Sequence, residues 1–480
     1  MRLVRPPGRQ IKRARPFENP GPFYSLAWKG GHRGRAEGRV AGRRIDVEAL
    51  IDDQKFGALT LRVLVLVFLA QVADGYDIQV MSFAAPSLLK AWHGTRAAFA
   101  PVFSASLFGI LVGAPLFGWM GDKIGRKTTV IACSIGLGLM GLCCVLARDL
   151  NTLLILRFLA GIGMGGIIPN AVAIAAELSP KRIRAGMAGF IPTGITVGGI
   201  VPGLLVAQLP PGPVFRELFL IGGVAPLVLA LLVAVGLPES ISLLIQRGGS
   251  KTRIAALARQ IAPGLEADAE DEFILPPRPP EERQGLAALF AGQMALITPL
   301  LWVMFTVSLL SIYMLTSWMP LLLEASGFTA KQAAAANSLF QVGGAASGVI
   351  VGLLLGRLGA RMVTALFVIG LVSVAVVARA PLSHVALAAG IVACGFGIVG
   401  LQCALNGTAS LAYPTAVRAR GLGMALGVGR CGSVVGPLLA GAMVAQGVTS
   451  ARDLFLLPLI PLALGALAAF VVMGRLKTPS

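Results

Sequence analysis

Charge is scarce in this chain. Of its 480 residues only 13% are Asp, Glu, Lys or Arg, against about a quarter in soluble domains. The hydrophobic set reaches 56% and the mean hydropathy is +0.80. A soluble protein could not keep so much apolar surface from water, so a soluble enzyme, a disordered chain and a disulfide scaffold are excluded. The apolar runs are long and continuous, without the alternating segments of about ten residues that an outer-membrane barrel needs. Cys133, Cys143, Cys144, Cys394, Cys403 and Cys431 all lie inside those runs. With no CxxC spacing they read as small packing residues, giving neither a metal site nor a disulfide framework. No Walker A sequence occurs, so ATP hydrolysis does not drive this protein, and no cofactor is expected.

The charge that is present is distributed unevenly. Residues 1–45 carry 12 Lys/Arg against Glu18 and Glu37, which is +10 of the net +19. This Arg-, Gly- and Pro-rich stretch has no apolar h-region and is not a secretory signal peptide. It reads either as a disordered basic tail near anionic headgroups or as a mis-assigned start, with translation beginning near Val40; the second is favoured, since Ile45–Asp53 resembles a natural amphipathic N-terminus. No aromatics interleave with a basic groove, so nucleic acid is not an expected partner.

A span needs about 20 mostly apolar residues. Candidates occur near 60–85, 100–120, 128–147, 151–176, 185–208 and 216–237, and again near 294–323, 331–355, 362–378, 385–411, 421–445 and 452–474. The expected fold is an all-α polytopic membrane protein, with twelve transmembrane helices in two six-helix bundles. The expected divisions are residues 1–45, an N-terminal bundle over 46–237, a polar central loop over 238–293 and a C-terminal bundle over 294–475. With the N-terminus inside, the cytoplasmic loops hold 16 Lys/Arg and the external loops seven. Both termini are therefore expected to be cytoplasmic. The halves echo one another: Gly121–Lys127 follows span 2, and Gly356–Arg361 follows span 8. Such a repeat suggests pseudo-symmetric bundles with a site between them. The run from Gly161 to Gly166 imitates a dinucleotide fingerprint, but it lacks the preceding strand and the acidic ribose ligand and is a close-packing feature.

Ionisable residues inside a span are costly and usually face a cavity or each other. Only Asp74, Asp77, Arg157 and Arg430 lie well inside spans. Asp74 is about 14 residues into span 1, roughly 21 Å from the cytoplasmic face, and Arg157 falls at a similar depth. Asp74 and Arg157 are therefore expected to compensate each other. Two carboxylates three residues apart share a helix face and resist joint ionisation in low dielectric, which suits proton coupling. The alternative is a static Asp–Arg pair that fixes packing. Arg430 has no acid in the membrane core of its own half, so an anionic substrate is its expected partner, a planar guanidinium matching a carboxylate. The alternative is that it snorkels or reaches across to Asp74 or Asp77. Gln341, Gln402 and Asn406 are weaker candidates for substrate contacts. Tyr76, Tyr313 and Trp318 could stack on a ring, although Trp318 reads equally as an interface anchor.

Asp74-Gly75-Tyr76-Asp77 matches the D-G-[YF]-D signature of the aromatic acid:proton symporter family of the major facilitator superfamily. Gly118, Asp122, Gly125, Arg126 and Lys127 fit the superfamily's loop after span 2. Arg157–Gly161 through Pro169-Asn170-Ala171, Pro238-Glu239-Ser240, Tyr413-Pro414-Thr415 with Arg418, and Gly429-Arg430 with Gly436-Pro437 resemble later stretches of the family. The resemblance covers about residues 45–475. It implies proton-driven uptake of a benzoate-like or hydroxylated aromatic acid across the bacterial cytoplasmic membrane by alternating access, performed by a monomer. It also implies proton-coupling roles for Asp74 and Asp77, substrate contacts from Arg430, Arg157, Tyr76, Gln341, Gln402 and Asn406, and gating by Gly118, Asp122, Gly125 and Arg126. Gly356 stands where an acidic residue is usual in the second-half loop. The run Gly198–Gly203 is faintly like an exporter's, which keeps proton antiport of a small organic anion or drug, or a transporter-like sensor, as the alternatives.

Overall fold

A computed structural model of the chain describes residues 43–210, 212–275, 286–379, 384–414, 417–447 and 450–475. The tail over 1–42 and the prolines between 276 and 280 lie outside the described residues. Helix dominates, because a chain surrounded by hydrocarbon must satisfy its backbone groups internally. In the N-terminal half, α1 (Val47–Asp53) precedes α2 (Ala58–Trp92), α3 (Ala100–Ile124), α4 (Arg126–Val145) and α5 (Leu150–Leu178). Then come α6 (Lys181–Phe190), α7 (Thr193–Gln208) and α8 (Phe215–Gly236). The linker carries α9 (Ile241–Gln246) and α10 (Lys251–Ile261). The C-terminal half comprises α11 (Met294–Ala325), α12 (Ala330–Leu358), α13 (Arg361–Arg379), α14 (His384–Ala412), α15 (Arg418–Ala445), α16 (Ala451–Leu456) and α17 (Leu459–Arg475).

Eleven described helical segments are long and apolar enough to cross a membrane, with α16 and α17 counted as one. The fifth expected span, 185–208, is instead two helices, α6 and the shorter apolar α7. Pro192 explains the break. It has no N–H for the carbonyl one turn back, and Gly194 and Ile195 bond to Ile191 and Pro192 in tightened three-residue steps.

The two halves repeat one packing scheme. In the first, α2 packs on α7, α3 on α5, and α4 on α8; in the second, α11 packs on α15, α12 on α14, and α13 on α17. Between halves, α3 meets α15, α7 meets α12, and α2 meets α11, as a two-fold relation requires. The glycines expected to permit close approach do so: Gly161 and Gly165 of α5 lie against the α3 backbone at Ser106 and Gly113. Large apolar side chains such as Leu231, Val235, Leu353 and Phe470 cover the outside, which suits lipid rather than water.

The linker holds structure that its polarity concealed. Strand β1 (Arg44–Asp46) pairs in parallel with β2 (Glu272–Ile274), with Ile45 opposite Phe273. Asp46 caps α1 by accepting from the Glu48 and Ala49 amides. Val47 and Ile51 then bury against Ile241, Ile254, Ala258 and Ile261. Residues 44–53 and 238–275 thus form one small cap at the end of the bundle where α2 begins; this is the linker end, and the opposite end is the distal end.

Candidate functional site

Asp74 and Asp77 sit midway along α2, at 0% and 1% exposure. Gly75 between them faces the α7 backbone at Ile195, and Gly198 of α7 faces the α2 backbone at Val72 and Tyr76. These glycines bring the two helices together and fix the rotation of α2, which sends the two carboxylates to different neighbours.

The expected compensation of Asp74 by Arg157 is corrected. Arg157 Nη1 donates to Asp77 Oδ1 at 2.8 Å and its Nη2 to the Asp77 carbonyl at 2.7 Å. Both side chains are buried, at 1% and 2% exposure. Arg157 thus has two of its guanidinium nitrogens committed to Asp77, while its Nε is left without a partner. The pair neutralises a charge that α2 could not bury alone.

Asp74 is left with neither oxygen hydrogen-bonded. Two charges act on it, those of Asp77 and Arg430. Tyr313 of α11 feels both Arg430 and Asp74, so these three groups gather between the halves. Arg430 is half-buried, and no carboxylate among the described residues lies within ion-pair distance of it. Of the glycines around it, Gly429 and Gly432 press on Phe305 and Thr306 of α11, whereas a Cβ at Gly427 would meet nothing within 4 Å. Two of these glycines serve helix packing and one leaves space.

Tyr76 turns toward α8. Its hydroxyl donates to the Leu218 carbonyl at 2.8 Å, and its ring lies over Gly222 of α8. A buried phenol needs an acceptor, and α8 supplies one within its own half. Trp318 is not an interface anchor: it is fully buried, edge-on to Phe103 at 5.2 Å, and donates to the Pro437 carbonyl at 3.0 Å. Gln341 is buried where α12 meets α7 and α2, with its amide beside Gly199 and Gln79. Gln402 Oε1 and Asn406 Oδ1 on α14 are buried acceptors without donors, available to a ligand hydroxyl.

Sequence reading missed Gln71 and Asn337. Gln71 lies one turn before Asp74, is fully buried, and has both amide atoms without partners. Asn337 of α12 donates at 3.3 Å both to Ser82 of the other half and to the Thr316 carbonyl. The available signal was an uncharged amide in an apolar run, which is too common to single out.

The halves touch toward the distal end. Lys90–Glu324, Ser104→Val434, Ser338→Ile200 and Asn337→Ser82 bridge them there. Toward the linker end, Cβ atoms at Gly118 of α3 and Gly427 of α15 would meet nothing within 4 Å, whereas α12 and α7 stay close, a Cβ at Gly348 coming within 3.8 Å of Thr193.

The loop after α3 is held by side chains from α5 and from the residues that follow α8. Gly125 has φ +110°, a conformation that favours glycine, and the Glu239 carboxylate lies where a Cβ would project. Arg126 reaches Asp122 at 3.5 Å, but its tighter partner is Glu177 at 2.7 Å. Asp122 is 74% exposed and Glu177 28%, so the more sheltered contact dominates. Glu177→Gln is expected to slow transport more than Asp122→Asn, with substrate affinity little changed in both. Initial rates over a range of substrate concentrations test this, and the opposite ranking would return the gating role to Asp122.

The Major Facilitator Superfamily model matches residues 67–437. A gallate transporter of Pseudomonas putida is 35% identical over 405 residues, covering 84% of this chain and 90% of that one. The 4-hydroxybenzoate transporter PcaK of the same organism is 33% identical over 431 residues, covering 90% and 96%. Among solved structures, a partially occluded inward-open xylose transporter from E. coli superposes with a TM-score of 0.67 at 15% identity, covering 88% of this chain and all of that one. Two halves that share one packing scheme, a family model spanning both of them, and relatives matched nearly end to end converge on one conclusion: this chain is a multi-pass membrane transporter, not an enzyme, and belongs to the major facilitator superfamily.

Proposed function

We propose that the protein carries an aromatic carboxylate, of the benzoate or hydroxybenzoate class, into the cell together with a proton. Alternating access would move both across the cytoplasmic membrane, with both termini on the inner side, as the loop charges suggest. The observation that carries this reading is the relation between Arg430 and Asp74. A half-buried guanidinium has no ion pair among the described residues, and it acts electrostatically on a buried carboxylate with both oxygens free of hydrogen bonds. With a proton on Asp74, the Arg430 fork is available to the carboxylate of a substrate. When that proton leaves, the Asp74 anion competes for the same cation and favours release. The printed names of the relatives, gallate and 4-hydroxybenzoate transporters, support the aromatic class, and the free acceptors on Gln402 and Asn406 suit a ring hydroxyl.

Arg430→Lys tests the reading. An ammonium loses the two-pronged fit, and a charge-assisted hydrogen bond contributes about 1.5–3 kcal/mol, so affinity for the acid should fall roughly ten- to a hundredfold. The corresponding neutral amide should compete poorly in the native protein. Whole cells should accumulate a labelled aromatic acid at low external pH and lose it on adding a protonophore. Cells holding less than controls would instead indicate export, and binding without accumulation would indicate a sensor.

A further inference from the structure

A cavity lies at the distal end, away from Arg430. It measures about 810 Å³ and is walled by α2, α7, α11 and α12, two helices from each half. Its floor is apolar, formed by Phe83, Val206, Val214 and Ala334. Lys90 and Lys331 supply cations and Glu324 the anion. Lys90 is about 24 Å farther along α2 than Asp74, at 1.5 Å per residue, so this cavity is separate from the central site.

The three charges are unequally placed. Lys90 Nζ meets Glu324 Oε2 at 2.8 Å, and the lysine is 75% exposed while the glutamate is 14% exposed. Lys331, in the first turn of α12, is exposed and forms no ion pair among the described residues. The cavity thus carries one cation more than it has anions, above an apolar floor. Its chemistry suits a flat apolar body with a single negative group.

We propose that this cavity is a second, distal binding site for an aromatic monocarboxylate, with the ring on the Phe83 floor and the carboxylate on Lys331. The class of ligand rests on the function proposed above. A carboxylate seated there also competes with Glu324 for Lys90. Since Lys90 and Glu324 join α2 to α11 across the two halves, occupancy of the site weakens one of the contacts that close the distal end.

Equilibrium binding of labelled benzoate to the purified full-length protein in lipid nanodiscs tests the proposal. Two bound benzoates per chain are expected, one weak and salt-sensitive because its cations are exposed. Lys331→Glu turns the net charge of the cavity from positive to negative and should weaken that class by about tenfold, equivalent to about 1.4 kcal/mol. Lys331→Arg should retain it. Glu324→Gln should strengthen it severalfold by freeing Lys90. A single benzoate, lost in Arg430→Ala and unaffected by Lys331→Glu, would overturn the distal site alone. A single benzoate lost in Lys331→Glu and kept in Arg430→Ala would support the distal site while overturning the central one. No bound benzoate at all would overturn both.

Discussion

Asp77→Asn is expected to lower the thermal unfolding midpoint sharply, whereas Asp74→Asn leaves it nearly unchanged and abolishes uphill accumulation. The two carboxylates are one helical turn apart, yet their surroundings differ. Asp77 neutralises Arg157 through its side chain and its carbonyl, with both partners almost wholly buried. Removing that negative charge leaves a guanidinium alone in a low-dielectric interior, a change that costs about 3–5 kcal/mol in buried pairs. Asp74 has no such partner, and its oxygens make no hydrogen bond that an amide would break. Its neutral variant should still exchange substrate down a gradient while failing to concentrate it. Melting in detergent and paired uptake and exchange assays separate the two roles. Equal melting of both variants would show that Asp77 is as dispensable to the fold as Asp74.

Gly75→Val is expected to be the most damaging substitution in the first span that changes no charge. A Cβ at this position would overlap the backbone of Ile195, and backbone cannot turn aside as a side chain can. Helices α2 and α7 must separate, breaking contacts on both faces, at a cost of about 3 kcal/mol or more. Gly118→Val gives the contrast, because nothing lies within 4 Å of a Cβ there. That variant should fold normally, yet transport slowly if α3 closes against α15 in the alternate state. A Gly75→Val protein with native melting and native uptake would show that the α2–α7 approach is not needed.

Much of the fold was readable because lipid imposes length and composition on every span. Apolar runs marked the helices, and the short basic loops marked the repeat. Pro192 was visible, but whether a proline kinks a helix or divides it depends on what the freed groups find nearby. The two strands were not legible: Arg44–Asp46 and Glu272–Ile274 are three residues each within polar surroundings, too short to show any period. The buried charges stood out by rarity alone. Their partners did not, because residues 74 and 77 differ by only about 4.5 Å in depth and about 60° in azimuth on an α-helix. Rotation decides which aspartate meets Arg157, and the α2–α7 glycine contact sets that rotation. The direction of Tyr76 was hidden for the same reason: it belongs to the signature, and it faces α8.

The parallel pairing of β1 with β2 bears on how the chain is made. Residues 44–46 emerge from the ribosome before the first span, while their partners at 272–274 follow the sixth. The early strand therefore waits, unpaired, while the whole first bundle enters the membrane. Such a distant pairing closes late in assembly, and it can close only if that bundle leaves both strands on the same side of the bilayer. The pairing thus requires an even number of crossings between residues 46 and 272, since an odd number would leave the two strands on opposite faces.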